Sequence, residues 1–395
     1  MNNGISIGRI FGIKIGIDWS WLFIFLLVTW NLASGVFPRI HPEWSLGLDI
    51  GLAVVASILF FLSVLAHELA HSVVAVSRGL PVRNITLFLF GGVSNIQREP
   101  QSPGTEFFMA IVGPLTSVVI GVVASVLGVI ASGPLKAFNM QNLLQLMTGL
   151  NPVATLLLWL GPINIILGIF NMIPGFPLDG GRVLRSILWG ITGNLKTATR
   201  WATGIGHVVA WLFIIAGISM FFGANLPFFG TGFISGLWLA FIGWFLNQAA
   251  SQSYRQVVVQ DLLEGIPVSR FMRSNLPSVP SQTTVSQLVD DHIMNSEERS
   301  FPVTDVSGQL VGVVSLEDIR KVPRKDWDTT PVSQIMTPRS ELEPLNPRED
   351  ATEALDALSQ KDLRQLPVVQ DGQVVGMVRR ADIMRWLQLH SEISH

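Results

Sequence analysis

The 395-residue sequence carries 26 Lys and Arg against 28 Asp and Glu, a net charge of −2, and contains no Cys. The lack of Cys excludes disulfides and thiolate metal ligands, so any bound metal must be held by His, Asp or Glu. The halves differ in charge, because residues 1–250 hold 11 basic and 7 acidic residues and residues 251–395 hold 15 and 21. Their net charges, +4 and −6, are too small to indicate nucleic-acid binding.

The charge distribution predicts an α-helical membrane domain over 1–250, a linker over 251–267 and a soluble α/β half after it. A helix needs about 20 mostly apolar residues to cross a bilayer. Six runs of about that length carry almost no charge, with a polar surface segment over 139–151 between the third and the fourth. The six predicted spans are residues 19–38, 50–77, 107–133, 153–173, 201–222 and 231–249.

The orientation is predicted by Lys and Arg in the short loops, which favour the cytoplasmic side. With the N-terminus inside, nine basic residues face the cytoplasm: Arg9, Lys14, Arg78, Arg83, Arg98, Arg182, Arg185, Lys196 and Arg200. Only Arg39 and Lys136 face the other side. We therefore expect a multi-pass protein of the lipid bilayer whose C-terminal half is cytoplasmic. A prokaryotic plasma membrane is the favoured location, with an internal membrane of the same orientation as the alternative.

The second predicted span contains two His and one Glu, in HELAH at residues 67–71. His67 and His71 are four residues apart, so they lie on one face of a helix with Glu68 at its rim. In H-E-x-x-H the two imidazoles bind zinc and the Glu acts as the base. Ionisable groups at bilayer depth cost several kcal/mol and usually mark a functional site. The alternative is a polar cluster that packs helices together.

Asp179, in FNMIPGFPLDGGR at residues 170–182, is the expected third metal ligand. Pro174 and Pro177 must break the preceding apolar helix. Irregular backbone near membrane depth is tolerated where it lines a cavity, so we expect this segment to fold back toward the metal. The alternative is a turn at the cytoplasmic end of the span, in which Asp179 pairs with Arg182.

HELAH together with N-x-x-P-x-x-P-L-D-G-G resembles the site-2 protease family of intramembrane zinc metalloproteases, over roughly residues 1–250. The resemblance implies that His67, His71 and Asp179 bind one Zn²⁺ and that Glu68 activates water for peptide-bond hydrolysis. Asn171 matches the family pattern, which implies that it positions the substrate or stabilises the oxyanion. A helix–helix hydrogen bond is the alternative role of Asn171. The implied substrates are membrane-spanning or membrane-tethered proteins.

Three further features of the membrane half have structural interpretations. The segment 84–96 is predicted to form a short strand structure with a turn at Gly91-Gly92, and a substrate could add to its edge. A hairpin that only packs on the helices is the alternative. Gly113-Pro114 is interpreted as close packing with a kink. His207 is interpreted as a polar packing residue, with a role as a metal ligand as the alternative.

The C-terminal half repeats itself, since residues 268–322 match residues 332–389 in order. VSRFM corresponds to VSQIM, and GVVSLEDI corresponds to GMVRRADI. Each unit is predicted to contain an extended lead-in, a helix, two strands around a turn and a closing helix. The units resemble CBS domains, and the resemblance implies one intertwined module that could form a homo-oligomer.

The same resemblance implies binding of ATP, ADP or AMP through a G-x-x-[ST]-x-x-D segment. Gly312, Ser315 and Asp318 fit this pattern, whereas the second unit keeps Asp382 but has Arg379 in place of Ser or Thr. Arg379 could contact a phosphate instead. The alternative is a CBS pair that only dimerises or rigidifies the protein.

The sequence thus favours a zinc intramembrane protease with a cytoplasmic CBS pair that senses adenine nucleotide. The first rival is a CBS-regulated metal-ion transporter or channel, which needs several exchangeable sites along a path, whereas this sequence has one compact set. The second rival is an inactive relative that acts as a membrane scaffold, against which the intact HELAH and Asp179 argue.

Overall fold

The computed structural model describes residues 4–96, 99–133, 149–226, 230, 232–274, 277–294, 296, 298–360 and 363–393. Most of the surface segment predicted over 139–151 lies outside these residues. The chain divides into two compact units, Met1–Arg255 and Gln256–His395, which we describe separately.

Six helices in the described part of the chain are long and apolar enough to cross a membrane, which confirms the predicted number. The first is Trp19–Ile40, made of α1 (Trp19–Asn31), a π-helical turn and α2 (Phe37–Ile40). The next three are α3 (Leu46–Ser77), α4 (Pro103–Ala131) and α5 (Pro152–Asn171). After the shorter α6 (Asp179–Thr192), the last two are α7 (Leu195–Phe221) and α8 (Phe233–Leu263). Most of the predicted linker over 251–267 therefore continues α8.

Polar side chains cap the spanning helices. Asp18, Ser45, Ser102, Asn151 and Asn194 each accept a hydrogen bond from a backbone N–H two or three residues further on, at the starts of α1, α3, α4, α5 and α7. These bonds satisfy donors that a helix start leaves without partners. Several helices therefore begin a few residues before the apolar run that predicted them.

Glycines bring α4 and α5 into backbone contact. A Cβ added at Gly121 would lie 2.7 Å from the carbonyl oxygen of Gly161, and a Cβ at Gly161 would lie 2.9 Å from that of Gly121. Small residues permit such close approach in a membrane, where helices associate by van der Waals packing.

Four strands form a sheet in the order β1 (Gly4–Ile10), β2 (Ile13–Asp18), β3 (Val82–Phe88) and β4 (Gly91–Ile96). Strands β2 and β3 are parallel and the other pairs are antiparallel. The predicted position of the turn, at Gly91-Gly92, is wrong. Phe88 pairs with Gly91, so the two residues between them form the turn. Strand β4 lies at the edge of this sheet.

The second unit contains two copies of the predicted helix–strand–strand–helix arrangement. The first consists of β5 (Val279–Pro280), α9 (Val285–Gln287, continued by a π-helical turn), β6 (Ser300–Thr304), β7 (Leu310–Ser315), α10 (Leu316–Arg320) and, from the next lead-in, β8 (Thr337–Pro338). The second consists of α11 (Ala351–Gln360), β9 (Gln365–Gln370), β10 (Gln373–Arg379) and α12 (Arg380–Ile393).

The two copies exchange their lead-in segments. Val268 and Phe271 precede the first copy but are buried in the apolar core of the second, and Val332 is buried in the core of the first. Each exchange depends on a glycine. A Cβ at Gly312 would lie 2.7 Å from the carbonyl oxygen of Thr337, and one at Gly376 equally close to that of Arg273. Neither copy can bury its core without the other.

Candidate active site

Three candidate ligand atoms converge from two distant segments of the chain. Oδ2 of Asp179 lies 3.0 Å from Nε2 of His67 and 3.2 Å from Nε2 of His71. The two Nε2 atoms are 3.1 Å apart. The histidines lie one turn apart on α3, whereas Asp179 is the first residue of α6. In the described part of the chain, no other group of three or more His, Asp or Glu could hold a metal ion.

The spacing and the protonation of these atoms fit zinc. Ligands at 2.0–2.1 Å around tetrahedral zinc are roughly 3.3 Å apart, close to the observed separations. Nδ1 of His71 lies 2.6 Å from the carbonyl oxygen of Met109, which can only accept, so Nδ1 carries the proton. With Nδ1 protonated, Nε2 is the ring nitrogen left to bind a metal, and it lies beside the carboxylate oxygen of Asp179. Nδ1 of His67 lies 2.9 Å from Oγ of Ser117, a hydroxyl that can accept a proton from this nitrogen as well as donate one to it.

Gly113 of α4 leaves open the space in front of the two Nε2 atoms. A Cβ added there would lie 2.8 Å from Nε2 of His67 and closer still to Nε2 of His71. The sequence predicted close packing at Gly113 and gave no indication of the partner. The partner is the pair of histidine rings, so the absent side chain leaves room for a metal.

Strand β4 orients Glu68. Oγ of Ser94 donates a hydrogen bond of 2.8 Å to Oε2 of Glu68, and a Cβ at Gly92 would collide with Cγ of the same side chain. Glu68 is not one of the converging ligands, so its carboxylate remains available for proton transfer. The roles of Ser94, Ser117 and the Met109 carbonyl were missed by sequence reasoning, although Ser117 lies one helical turn after Gly113 on the same face.

The turn between α5 and α6 places Asp179. The backbone at the start of α6 packs tightly against the end of α5, since a Cβ at Gly180 would collide with the carbonyl group of Met172. The carboxylate of Asp179 faces the histidines, and Nε of Arg182 lies 3.9 Å from Oε1 of Glu106. This geometry favours the ligand interpretation of Asp179 over pairing with Arg182.

A cavity of about 530 Å³ opens onto these residues. Its polar lining includes the two histidines, Glu68, Ser94, Asn171 and Asp179. Its apolar lining includes residues of α1, α3 and α8: Ile24, Val28, Phe60, Phe61, Val64, Trp238 and Ile242. The amide of Asn171 donates a 3.0 Å hydrogen bond to the carbonyl oxygen of Leu167 in its own helix.

His207 lies outside this lining. Its Nδ1 atom is 2.7 Å from Oδ1 of Asn247, as expected of a polar packing residue.

The candidate nucleotide residues of the two CBS copies have different partners. Asp318 and Ser315 cap each other at the start of α10, and Gly312 packs against the exchanged lead-in. Burial alone would raise the pKa of Asp318, but hydrogen bonds from Ser315 and Lys321 lower it below the usual value. They leave the carboxylate ionised at neutral pH.

Asp382 is held by arginine. Nε and Nη2 of Arg379 donate hydrogen bonds of 2.8 and 2.9 Å to its two oxygens, and Nε of Arg273 lies 3.3 Å from Oδ2. The hydrogen bonds from Arg379 are the main cause of a lowered pKa for Asp382. The two copies therefore offer different surfaces to a ligand.

Three potential metal ligands among helices long and apolar enough to cross a membrane, with Glu68 beside them, are the arrangement expected of a membrane-embedded metalloprotease. The model of peptidase family M50 matches residues 55–215, and that of the CBS domain matches residues 268–325 and 332–389. The chain belongs to peptidase family M50, the site-2 proteases, which confirms the predicted family.

Its relatives resemble it over nearly their whole length. A Synechocystis sp. protein named a candidate zinc metalloprotease is 36% identical over 390 residues, covering 98% of this chain and 96% of that protein. A zinc metalloprotease of Methanocaldococcus jannaschii is 27% identical over 394 residues, covering 98% and 97%. The solved structure of a site-2 protease from the same organism has 27% identity and a TM-score of 0.42, covering 64% of this chain and 95% of that one.

Proposed function

We propose that this protease hydrolyses peptide bonds in or near membrane-spanning segments, with one zinc ion held by His67, His71 and Asp179. The observation that carries the proposal is the convergence of these three ligand atoms beside Glu68 in one cavity. When bound, zinc acts as a Lewis acid that makes water a nucleophile at neutral pH and polarises the scissile carbonyl.

Glu68 is the general base of the proposed reaction. Because Ser94 holds Oε2, Oε1 is the atom that takes the proton of the attacking water and then passes it to the leaving amine. Gly92 allows this carboxylate to lie against β4.

Strand β4 and Asn171 bind the substrate in this proposal. Gly91, Gly92 and Ser94 line the cavity from the edge of the sheet. An extended peptide can pair with an exposed edge through main-chain hydrogen bonds, which holds an unwound segment beside the metal. Asn171 lines the same cavity and would contact the substrate carbonyl after releasing Leu167. The expected substrates are single-span or membrane-tethered proteins of a prokaryotic plasma membrane.

The CBS pair regulates the protease in this proposal by binding ATP, ADP or AMP on the cytoplasmic side. Gly312, Ser315 and Asp318 would contact the ribose, and the ionised Asp318 supports this role. Arg379 occupies Asp382 in the second copy. A nucleotide would therefore have to displace Arg379 from Asp382 or bind Arg379 through its phosphate. Association of CBS pairs into a homo-oligomer is part of the same proposal.

The test of the proteolytic role uses the full chain reconstituted in liposomes with a single-span model substrate. The expected result is cleavage within the span, located by mass spectrometry of the products and abolished in Glu68→Gln and in Asp179→Asn. Val55→Ala, at an exposed position of α3, serves as the control and should cleave normally. Unchanged cleavage in Glu68→Gln would exclude Glu68 as the base.

A further inference from the structure

A buried ion pair joins the helix that carries Asp179 to helix α4. Arg185 of α6 is 2% exposed and Glu106 of α4 is fully buried. Nε of Arg185 donates a 2.6 Å hydrogen bond to Oε1 of Glu106, and Nη2 donates one of 3.0 Å to Oε2 of Glu99. The proposed zinc chemistry gives this pair no role.

Arg185 also contacts the turn that leads into Asp179. Its guanidinium lies 5.1 Å from the ring centre of Phe176, a buried residue three positions before Asp179. Arg185 itself lies six positions after Asp179, between one and two turns along the same short helix. The guanidinium therefore fixes both the start of α6 and the turn in front of it against α4.

The face of α4 that receives Arg185 is the same face that orients the histidines. Glu106, Met109, Gly113 and Ser117 are spaced by three, four and four residues, so they lie on one side of the helix. Met109 and Ser117 hold the Nδ1 atoms of the two histidines, and Gly113 lies against their Nε2 atoms. Glu106 continues this row toward α6. One face of α4 therefore contacts both segments that carry the three ligands: α3, through the two histidines, and α6, through Arg185.

We propose that the Glu106–Arg185 pair is a positioning device that holds Asp179 at ligand distance from the two histidines. This inference rests on the proposed role of Asp179 as a zinc ligand. A buried ion pair is not needed for stability alone, because apolar residues of similar volume often serve as well or better. The guanidinium offers fixed directions, which a positioning role requires.

The test is a double-mutant cycle on zinc affinity, measured by chelator competition on the full-length protein purified in detergent. Arg185→Met is expected to weaken zinc binding by about 10- to 100-fold, the range typical of groups that orient a metal ligand. In an Asp179→Ala background the same substitution should change the affinity by less than about 3-fold, because the ligand it positions is gone. The absorption spectrum of the Co²⁺-loaded Arg185→Met protein should shift toward that of Asp179→Ala.

The matched control is Arg200→Met. It removes the same charge from the next helix, α7, at an exposed position. Its zinc affinity should stay within about 3-fold of the unsubstituted protein. If Arg185→Met does not fold, the double variant Glu106→Leu/Arg185→Met removes both buried charges and takes its place in the cycle. That variant should fold and still bind zinc weakly.

Three outcomes would overturn the positioning role. They are unchanged affinity in Arg185→Met, equal losses with and without Asp179, and wild-type affinity in the folded double variant. Unchanged affinity in Asp179→Ala itself would instead overturn the ligand set, and the positioning role with it. The cycle therefore separates the failure of this inference from the failure of the proposed function.

Discussion

A methyl group at Gly113 tests the geometry of the metal site most specifically. In Gly113→Ala the new Cβ would lie 2.8 Å from Nε2 of His67, whereas ordinary contact begins at 3.4 Å. The ring of His67 must then retreat by about 0.6 Å, and that of His71 by more. Metal–ligand distances are fixed to about 0.2 Å. We expect zinc affinity to fall by about 100-fold or more, which corresponds to about 2.7 kcal/mol.

The fold should survive this substitution, because Ala is favoured over Gly inside a helix by up to about 1 kcal/mol. The assay is zinc affinity by chelator competition, with thermal unfolding of the metal-free protein measured in parallel. Gly104→Ala on the same helix is the matched control, since no atom lies within 4 Å of its new Cβ. Wild-type zinc affinity in a folded Gly113→Ala protein would refute the inferred metal position.

Three further predictions concern the base and the CBS pair. Ser94→Ala should lower kcat about 10-fold with zinc content unchanged, because Glu68 loses a charge-assisted hydrogen bond; reduced zinc content would contradict this. Asp318→Ala should weaken AMP binding to the full chain at least about 10-fold in calorimetric titration, as expected for loss of a charged hydrogen bond. In Asp382→Asn, thermal unfolding of the CBS pair should show a loss of up to about 1 kcal/mol at pH 7. Because Arg379 lowers the pKa of Asp382 below its usual 3.8, that difference should shrink as the pH falls through the lowered pKa.

The sequence predicted those features of the site that depend on local spacing. His67 and His71 share a face because a helix repeats every 3.6 residues, and HELAH lies well inside an apolar run. The number of spans followed from apolar length in the same manner. The resemblance to tandem CBS domains implied an intertwined module, but it did not identify the lead-in segments as the parts that the two copies exchange.

The features that the sequence did not predict depend on contacts between distant segments. Nothing near Gly113 indicates that it faces histidines on another helix, and Ser94 lies 26 residues from the Glu68 that it orients. The hairpin turn was misplaced because glycine is usual in turns. Here Gly92 is required instead by the Glu68 side chain against which it packs. In the sequence, Arg185 is only one of several basic residues expected on the cytoplasmic side. Its ion pair could not be predicted, because its partner Glu106 lies on another helix.

Zinc content of the purified protein tests the central claim most directly. The measurement compares the unsubstituted chain with His67→Ala, Asp179→Asn and Glu68→Gln after metal-free purification and addition of one equivalent of Zn²⁺. The account predicts one tightly bound zinc in the unsubstituted protein, retained in Glu68→Gln and lost in the other two. Loss of zinc in Glu68→Gln, or several weakly bound ions in the unsubstituted chain, would contradict it and favour a metal-transport site in which Glu68 is itself a ligand.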